Sequence, residues 1–196
     1  RKKVKSPDDE VINAISTNAE NVDFGMWAMV EMCTGLRRGE INALRRCDID
    51  FANKKISITQ VTEFIGNRPQ IKECPKSENG IRDVPILELL EQPLRKMCRG
   101  LEPNDFLFGG EKPYSLTMIR RRWDKYCIAV DHTFRQHQLR HAYAKLLYCA
   151  GIDPKTMQRL LGHAKFETTM NIYTDFANEM TEQSVGKLNE YMGERF

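Results

Sequence analysis

One stretch of this chain breaks its helical rhythm, and the break sets the class of fold. KKISITQVTEF (54–64) alternates and is rich in β-branched residues, so it reads as a strand. RPQIKEC (68–74) and RDVPI (82–86) read as two further short strands around a turn at KSENG (76–80). Elsewhere the apolar residues recur at the three- and four-residue spacing of amphipathic helices. The expectation is one compact α+β domain, mostly α-helical, with a small three-stranded antiparallel sheet.

Ser6 and Pro7 open a first helix, as N-cap and first helical residue. A second covers about 22–33 and ends at a turn containing Gly35, followed by a short helix from Gly39 to Arg45. Further helices are expected over about 87–99, 115–129, 135–150 and 154–161. Asp153 and Pro154 start the last of these, and Gly162 stops it. TTMNIYTDF (168–176) reads as a short helix, and a polar helix or tail spans 178–193. The helix over 135–150 is two-sided. Leu139, Ala142, Tyr143, Leu146, Leu147 and Ala150 share a broad apolar face, with His137, Arg140, His141 and Ala144 opposite. One side is expected to join the core, and the other to form a cationic ridge facing something rich in negative charge.

Bulk charge says little about the partner, because the net charge is only +3. Its distribution says more: basic residues cluster at 1–3, 37–38, 45–46 and 120–122. Six cysteines, at 33, 47, 74, 98, 127 and 149, include no C-x-x-C pair. Neither a zinc site nor a disulfide framework is indicated, so the thiols are expected reduced, in a reducing cytosolic compartment. No apolar run reaches the roughly 18 residues of a membrane span. The sequence begins without Met, and the expectation is a piece of a longer protein.

TGLRRGEI (34–41), HQLRHAYA (137–144) and LGHAKFETTMNIY (161–173), taken together, resemble the catalytic domain of tyrosine recombinases, the phage integrase family. That family carries a T-G-L-R-x-x-E turn, an H-x-L-R-H helix, an L-G-H, and a tyrosine nine or ten residues later. Here the tyrosine is Tyr173, ten residues after His163. The family also places a lysine in a β-hairpin before an R-x-V-P segment, and PKSENGIRDVPI puts Lys76 there. The resemblance covers about residues 6–176 and implies the tyrosine recombinase catalytic fold.

The chemistry that this resemblance implies can be set against the residues. Transfer at a DNA phosphodiester builds negative charge on non-bridging oxygens, which needs metal ions or guanidinium forks to offset it. The sequence holds no carboxylate cluster suited to magnesium, but it holds Arg37 and Arg140, whose planar donors match phosphate. A metal-independent site without cofactor is the expectation. The resemblance makes Tyr173 the nucleophile, forming a 3′-phosphotyrosyl link and freeing a 5′-hydroxyl. The link conserves the bond energy, so rejoining needs no ATP. His137 would exchange a proton with the tyrosine and touch phosphate, and His163 would donate to a non-bridging oxygen. Lys76 would be general acid to the leaving 5′-oxygen, with Lys72 as the alternative hairpin lysine. Glu40 would hold Arg37 in place, and His141 would support the site from a neighbouring helix. Four residues from His137, His141 suggests a zinc pair, but no third ligand follows at a suitable spacing. Arg82 is either structural or a phosphate contact. Arg120, Arg121 and Arg122 either contact phosphates or form a solvated face around a core Trp123. Taken singly, Tyr173 reads as a packing aromatic, His137 as a surface histidine and His163 as a turn contact.

The domain division expected is 1–176 as catalytic domain and 177–196 as a C-terminal tail or helix. The tail docks on a neighbouring protomer or folds back on its own. The family's N-terminal core-binding and arm-binding domains are not in this sequence, so weak DNA binding is expected. The partners implied are double-stranded attachment or crossover DNA, further copies in a tetramer, and an excisionase or host DNA-bending protein. The function implied is site-specific recombination through a Holliday junction, integrating and excising a phage or integrative mobile element. The rivals are a type IB topoisomerase-like nicking-closing enzyme and a non-catalytic DNA-binding module.

Overall fold

The fold is built on α2 (Gly25–Thr34), the most apolar helix, nine of whose ten residues are buried. In this computed structural model residues 9–74 and 80–193 are described. α2 packs against α1 (Asp9–Asn18), α3 (Arg38–Ala43), α4 (Glu88–Met97) and α6 (Gln136–Cys149). It stops at Gly35, whose φ of 63° is the left-handed conformation that ends helices. A Cβ there would lie 2.3 Å from the Tyr143 ring, so only glycine lets α6 come this close. The proposed first cap, Ser6 with Pro7, lies outside the described residues.

The β-structure corrects one expectation. The predicted strand over 54–64 is two strands, β2 (Lys55–Ile58) and β3 (Gln60–Ile65), in different sheets. β2 lies between β1 (Ile49–Asp50) and β5 (Arg82–Pro85), all antiparallel, while β3 pairs only with β4 (Arg68–Glu73) in a hairpin. A three-stranded antiparallel sheet is present, but its third strand is β1 rather than 68–74. The reason is burial: Ile56 and Ile58 enter the core, whereas the hairpin leaves Ile65 62% exposed. Ile56 pairs with Val84 and Ile58 with Arg82, which turns Arg82 inward.

α5 (Leu116–Ala129) is capped by the Ser115 hydroxyl, which accepts from Met118 N–H. Trp123 is buried in it and donates to Phe134 O at 3.0 Å, so it is a core residue. In α7 (Pro154–Leu161), Asp153 accepts from the backbone of Lys155 and Thr156, and Gly162 ends the helix at φ 65°. The segments 168–176 and 178–193 merge into one 28-residue helix, α8 (Phe166–Gly193), with no glycine or proline between them to stop it. No helix among the described residues is long and apolar enough to cross a membrane. All six cysteines are free.

Two apolar clusters result. The larger surrounds α2. The smaller joins Tyr143 and Ala144 of α6, Met157 and Leu161 of α7, and Phe176 of α8. α6 lies between them, and this overturns its expected two-sidedness. Arg140 and Ala144 are buried, while Leu146 is 46% exposed and Ala150 is exposed. Neighbours on several sides cover the middle of the helix, and its last turn projects beyond them.

Candidate active site

A helix ends with backbone carbonyls that have no partner within it, at the negative end of its dipole. At the end of α7, three successive carbonyls each accept from a different arginine. Arg82 Nε donates to Leu160 O at 3.1 Å, Arg140 Nη2 to Leu161 O at 2.5 Å, and Arg37 Nη2 to Gly162 O at 2.8 Å. Arg140 Nη1 also donates to Gly35 O, at the end of α2, so one guanidinium ties two helix termini together. Residues far apart in sequence thus meet because each supplies what the other lacks.

Glu40 completes the cluster. Its Oε1 accepts from Arg82 Nη1 and Arg37 Nη1, both at 3.0 Å. Its Oε2 accepts from Arg82 Nη2 at 2.9 Å and from the backbone N–H of Arg37 at 2.8 Å. Burial alone would raise this carboxyl, but the Arg82 and Arg37 contacts outweigh it and hold Glu40 below the usual range. The expected hold on Arg37 is therefore present, and Arg82 shares it. Arg82 has its side chain 1% exposed and directs its donors inward, to Glu40 and to Leu160 O.

Three guanidinium charges facing one carboxylate make a strongly positive pocket. Arg37 is its accessible member, with its side chain 46% exposed. Burial, then the charge of Arg37, pushes Arg140 down to about 9, and it stays charged at neutral pH. The same causes act on the histidines. His163 is buried and pushed down to about 3, first by burial and then by Arg140 and Arg37, so its ring is neutral. Its Nδ1 lies 3.0 Å from Thr169 Oγ1, which leaves Nε2 uncommitted among the described residues. His137, at the exposed edge of α6, is lowered by burial, Arg140 and Arg37. His141 is lowered by burial and His137, and its ring packs 5.0 Å from Phe176 of α8.

Tyr173 sits on α8 one turn beyond Thr169, and so on the same helix face. Its ring meets Tyr148 edge-on at 4.6 Å. No hydrogen bond among the described residues joins its hydroxyl to the arginines; on the same helix Thr169 meets His163, the residue after Gly162. Thr169, fully buried, escaped the sequence reading, although its place four residues before Tyr173 was visible. Lys76 lies outside the described residues. Lys72 is on β4, paired with Glu63 across the hairpin at 2.5 Å. Arg120 and Arg121 are exposed on α5, whereas Arg122 is engaged with Tyr114 and Asp23. Among the described residues, no three His, Cys, Asp or Glu side chains converge to hold a metal ion.

Comparison with known proteins places the chain among recombinases and integrases. The model of the phage integrase family matches residues 8–180. A tyrosine recombinase XerC-like protein of Caldanaerobacter subterraneus subsp. tengcongensis is 29% identical, over 93% of this chain and 53% of that protein. The transposase of transposon Tn916 from Enterococcus faecalis is 25% identical, over 83% of this chain and 44% of its own length. The chain thus spans about half the length of these curated relatives. The fold is that of the Tn1549 transposon integrase, solved in complex with circular intermediate DNA. The TM-score is 0.70 at 23% identity, covering 93% of this chain and 68% of that one. With the family model matching most of its length, the chain belongs to the phage integrase family.

Proposed function

We propose that this chain is the catalytic domain of a site-specific DNA recombinase that integrates and excises a mobile element. The observation that carries this is the guanidinium cluster on the end of α7, joined through His163 and Thr169 to the helix bearing Tyr173. Arg37 and Arg140 bind the non-bridging oxygens of the scissile phosphate, and neutral His163 donates to one of them from Nε2. The Tyr173 oxygen forms a bond to phosphorus as the bond to the 5′-oxygen breaks. The phenolic proton passes to His137, and Lys76 supplies a proton to the departing 5′-oxygen. Attack by a 5′-hydroxyl of the partner duplex reverses these steps and completes one strand exchange.

The arginines provide the charge that a metal would otherwise supply, so the reaction proceeds without metal or ATP. The partner is double-stranded crossover DNA, with an excisionase or host DNA-bending protein setting direction. Four copies act together in the bacterial cytosol. The end of α8, where Met180 and Val185 are exposed, reaches a neighbouring copy.

The test is covalent trapping on nicked suicide DNA in EDTA. An adduct that survives denaturation and disappears in Tyr173→Phe is the expected result. A protein that binds its DNA yet forms no adduct is a DNA-binding module instead.

A further inference from the structure

Four successive carbonyls lead out of α7, and each accepts from a side chain. Those of Leu160, Leu161 and Gly162 take the three arginines. The fourth, of His163, takes a neutral amide: Gln158 Nε2 donates to it at 3.0 Å. Gln158 lies within α7 and is 4% exposed. Burying an amide is costly unless its polar atoms are bonded, and a methionine fills similar space without that cost. Both ends of this amide are engaged. Lys155 Nζ donates to its Oε1 at 3.4 Å, which leaves Nε2 turned towards His163.

The helix is closed without this side chain. Gly162 N–H donates to Arg159 O at 3.2 Å and His163 N–H to Gln158 O at 3.1 Å, the pair of bonds with which helices commonly end on a left-handed glycine. Any residue at 158 offers that backbone carbonyl. The amide bond is additional, and it falls on the other side of the His163 Cα. The peptide planes are rigid, so a residue held at both its N–H and its C=O has its φ and ψ fixed. The direction of its Cα–Cβ bond is fixed with them. Thr169, on α8, then sets the ring through Nδ1.

We infer that Gln158 is a positioning residue for strand transfer, whose buried amide clamps the main chain of His163 and so aims Nε2 at the phosphate. This rests on the recombinase reading above. Gln158 acts through His163 and not on the substrate. The carbonyls of 160–162 gather the arginines, and the clamp on the next carbonyl keeps the histidine in register with them. A histidine that turned away would leave the guanidinium charges in place, so DNA would still bind while transfer slowed.

The test is Gln158→Met in the whole chain, with Gln158→Glu, which keeps the size and loses the donor, if the first does not fold. Two readouts are taken. Single-turnover adduct formation on nicked suicide DNA should slow by about 10–100-fold with DNA affinity unchanged. Long-range nitrogen–proton NMR of the His163 ring should show the proton on Nε2 in wild type and averaged over both nitrogens in the variant. Either change without the other overturns the inference, as does a variant identical to wild type in both. Equal slowing by Gln158→Met in a His163→Asn chain also overturns it, since the amide would then act through the arginines. A wild-type chain that forms no adduct overturns the recombinase reading instead, and the ring signals alone then judge the hold on His163.

Discussion

Thr169 is a small residue with a large positioning task. Its hydroxyl is buried and holds His163 Nδ1 at 3.0 Å, which fixes the ring and leaves the other nitrogen for substrate. Thr169→Val keeps the shape and removes the bond. Because a positioning partner of this kind typically accounts for 10–100-fold in activity, adduct formation should slow by about that factor. DNA affinity should change little, and Thr169→Ser should restore the rate. Single-turnover trapping beside a binding titration reads both. Equal rates for Thr169 and its valine variant would place the control of His163 elsewhere.

At the scale of elements, the helix ends matter more than the helices. Gly162 has φ 65°, and a Cβ on it would lie 2.6 Å from Arg82 Cζ. Gly151 has φ 73° with nothing within 4 Å. Both alanine variants bear the left-handed strain of about 1–2 kcal/mol, but only Gly162→Ala must also displace a buried guanidinium, a further ~1–3 kcal/mol. Urea unfolding should therefore show Gly162→Ala the less stable by that second amount, and only Gly162→Ala should lose adduct formation. These ends were legible beforehand: Asp153, Pro154 and Gly162 marked α7 correctly. The change of sheet at Thr59 was marked too, by a slip in the alternation from Ile56 and Ile58 to Val61 and Phe64, but the β-branched run across it reads as one strand. A two-residue β1 carries no period to detect. The depth of Arg140 was also hidden. Residue type marks an arginine as surface, and only the carbonyls at the ends of two helices make its burial tolerable. The motif residues identified the site, but not which of its arginines face outward.

For the whole molecule, the positive pocket has a consequence in acid. His163, His137 and His141 all titrate lower in the folded chain than in the unfolded one. Below about pH 6.5 the unfolded chain binds more protons at these positions, so folding loses stability as pH falls towards the folded values. The slope is on the order of 1 kcal/mol per pH unit for buried His163, and less for the two more exposed rings. Glu40, also lowered, adds to the loss below its unfolded value near 4.5. Glu31, raised by burial, acts in the opposite sense, so the His163 share is read as a difference. Between pH 7.5 and pH 4.5 the urea midpoint of wild type should fall relative to that of His163→Asn below about pH 6.5. A difference constant over that range would contradict the neutral state assigned to His163.

The cluster at the end of α7 also has a bearing on when the protein can act. Its parts are separated by 125, 105 and 78 residues, counted from Arg37 to Gly162, Arg140 to Gly35, and Arg82 to Leu160. His163 and Tyr173 come later in the chain than every arginine they serve. A nascent polypeptide therefore holds its cationic residues unassembled until translation has passed α7 and most of the domain has docked. Partly made chains carry the arginines without the carbonyls that gather them into one site.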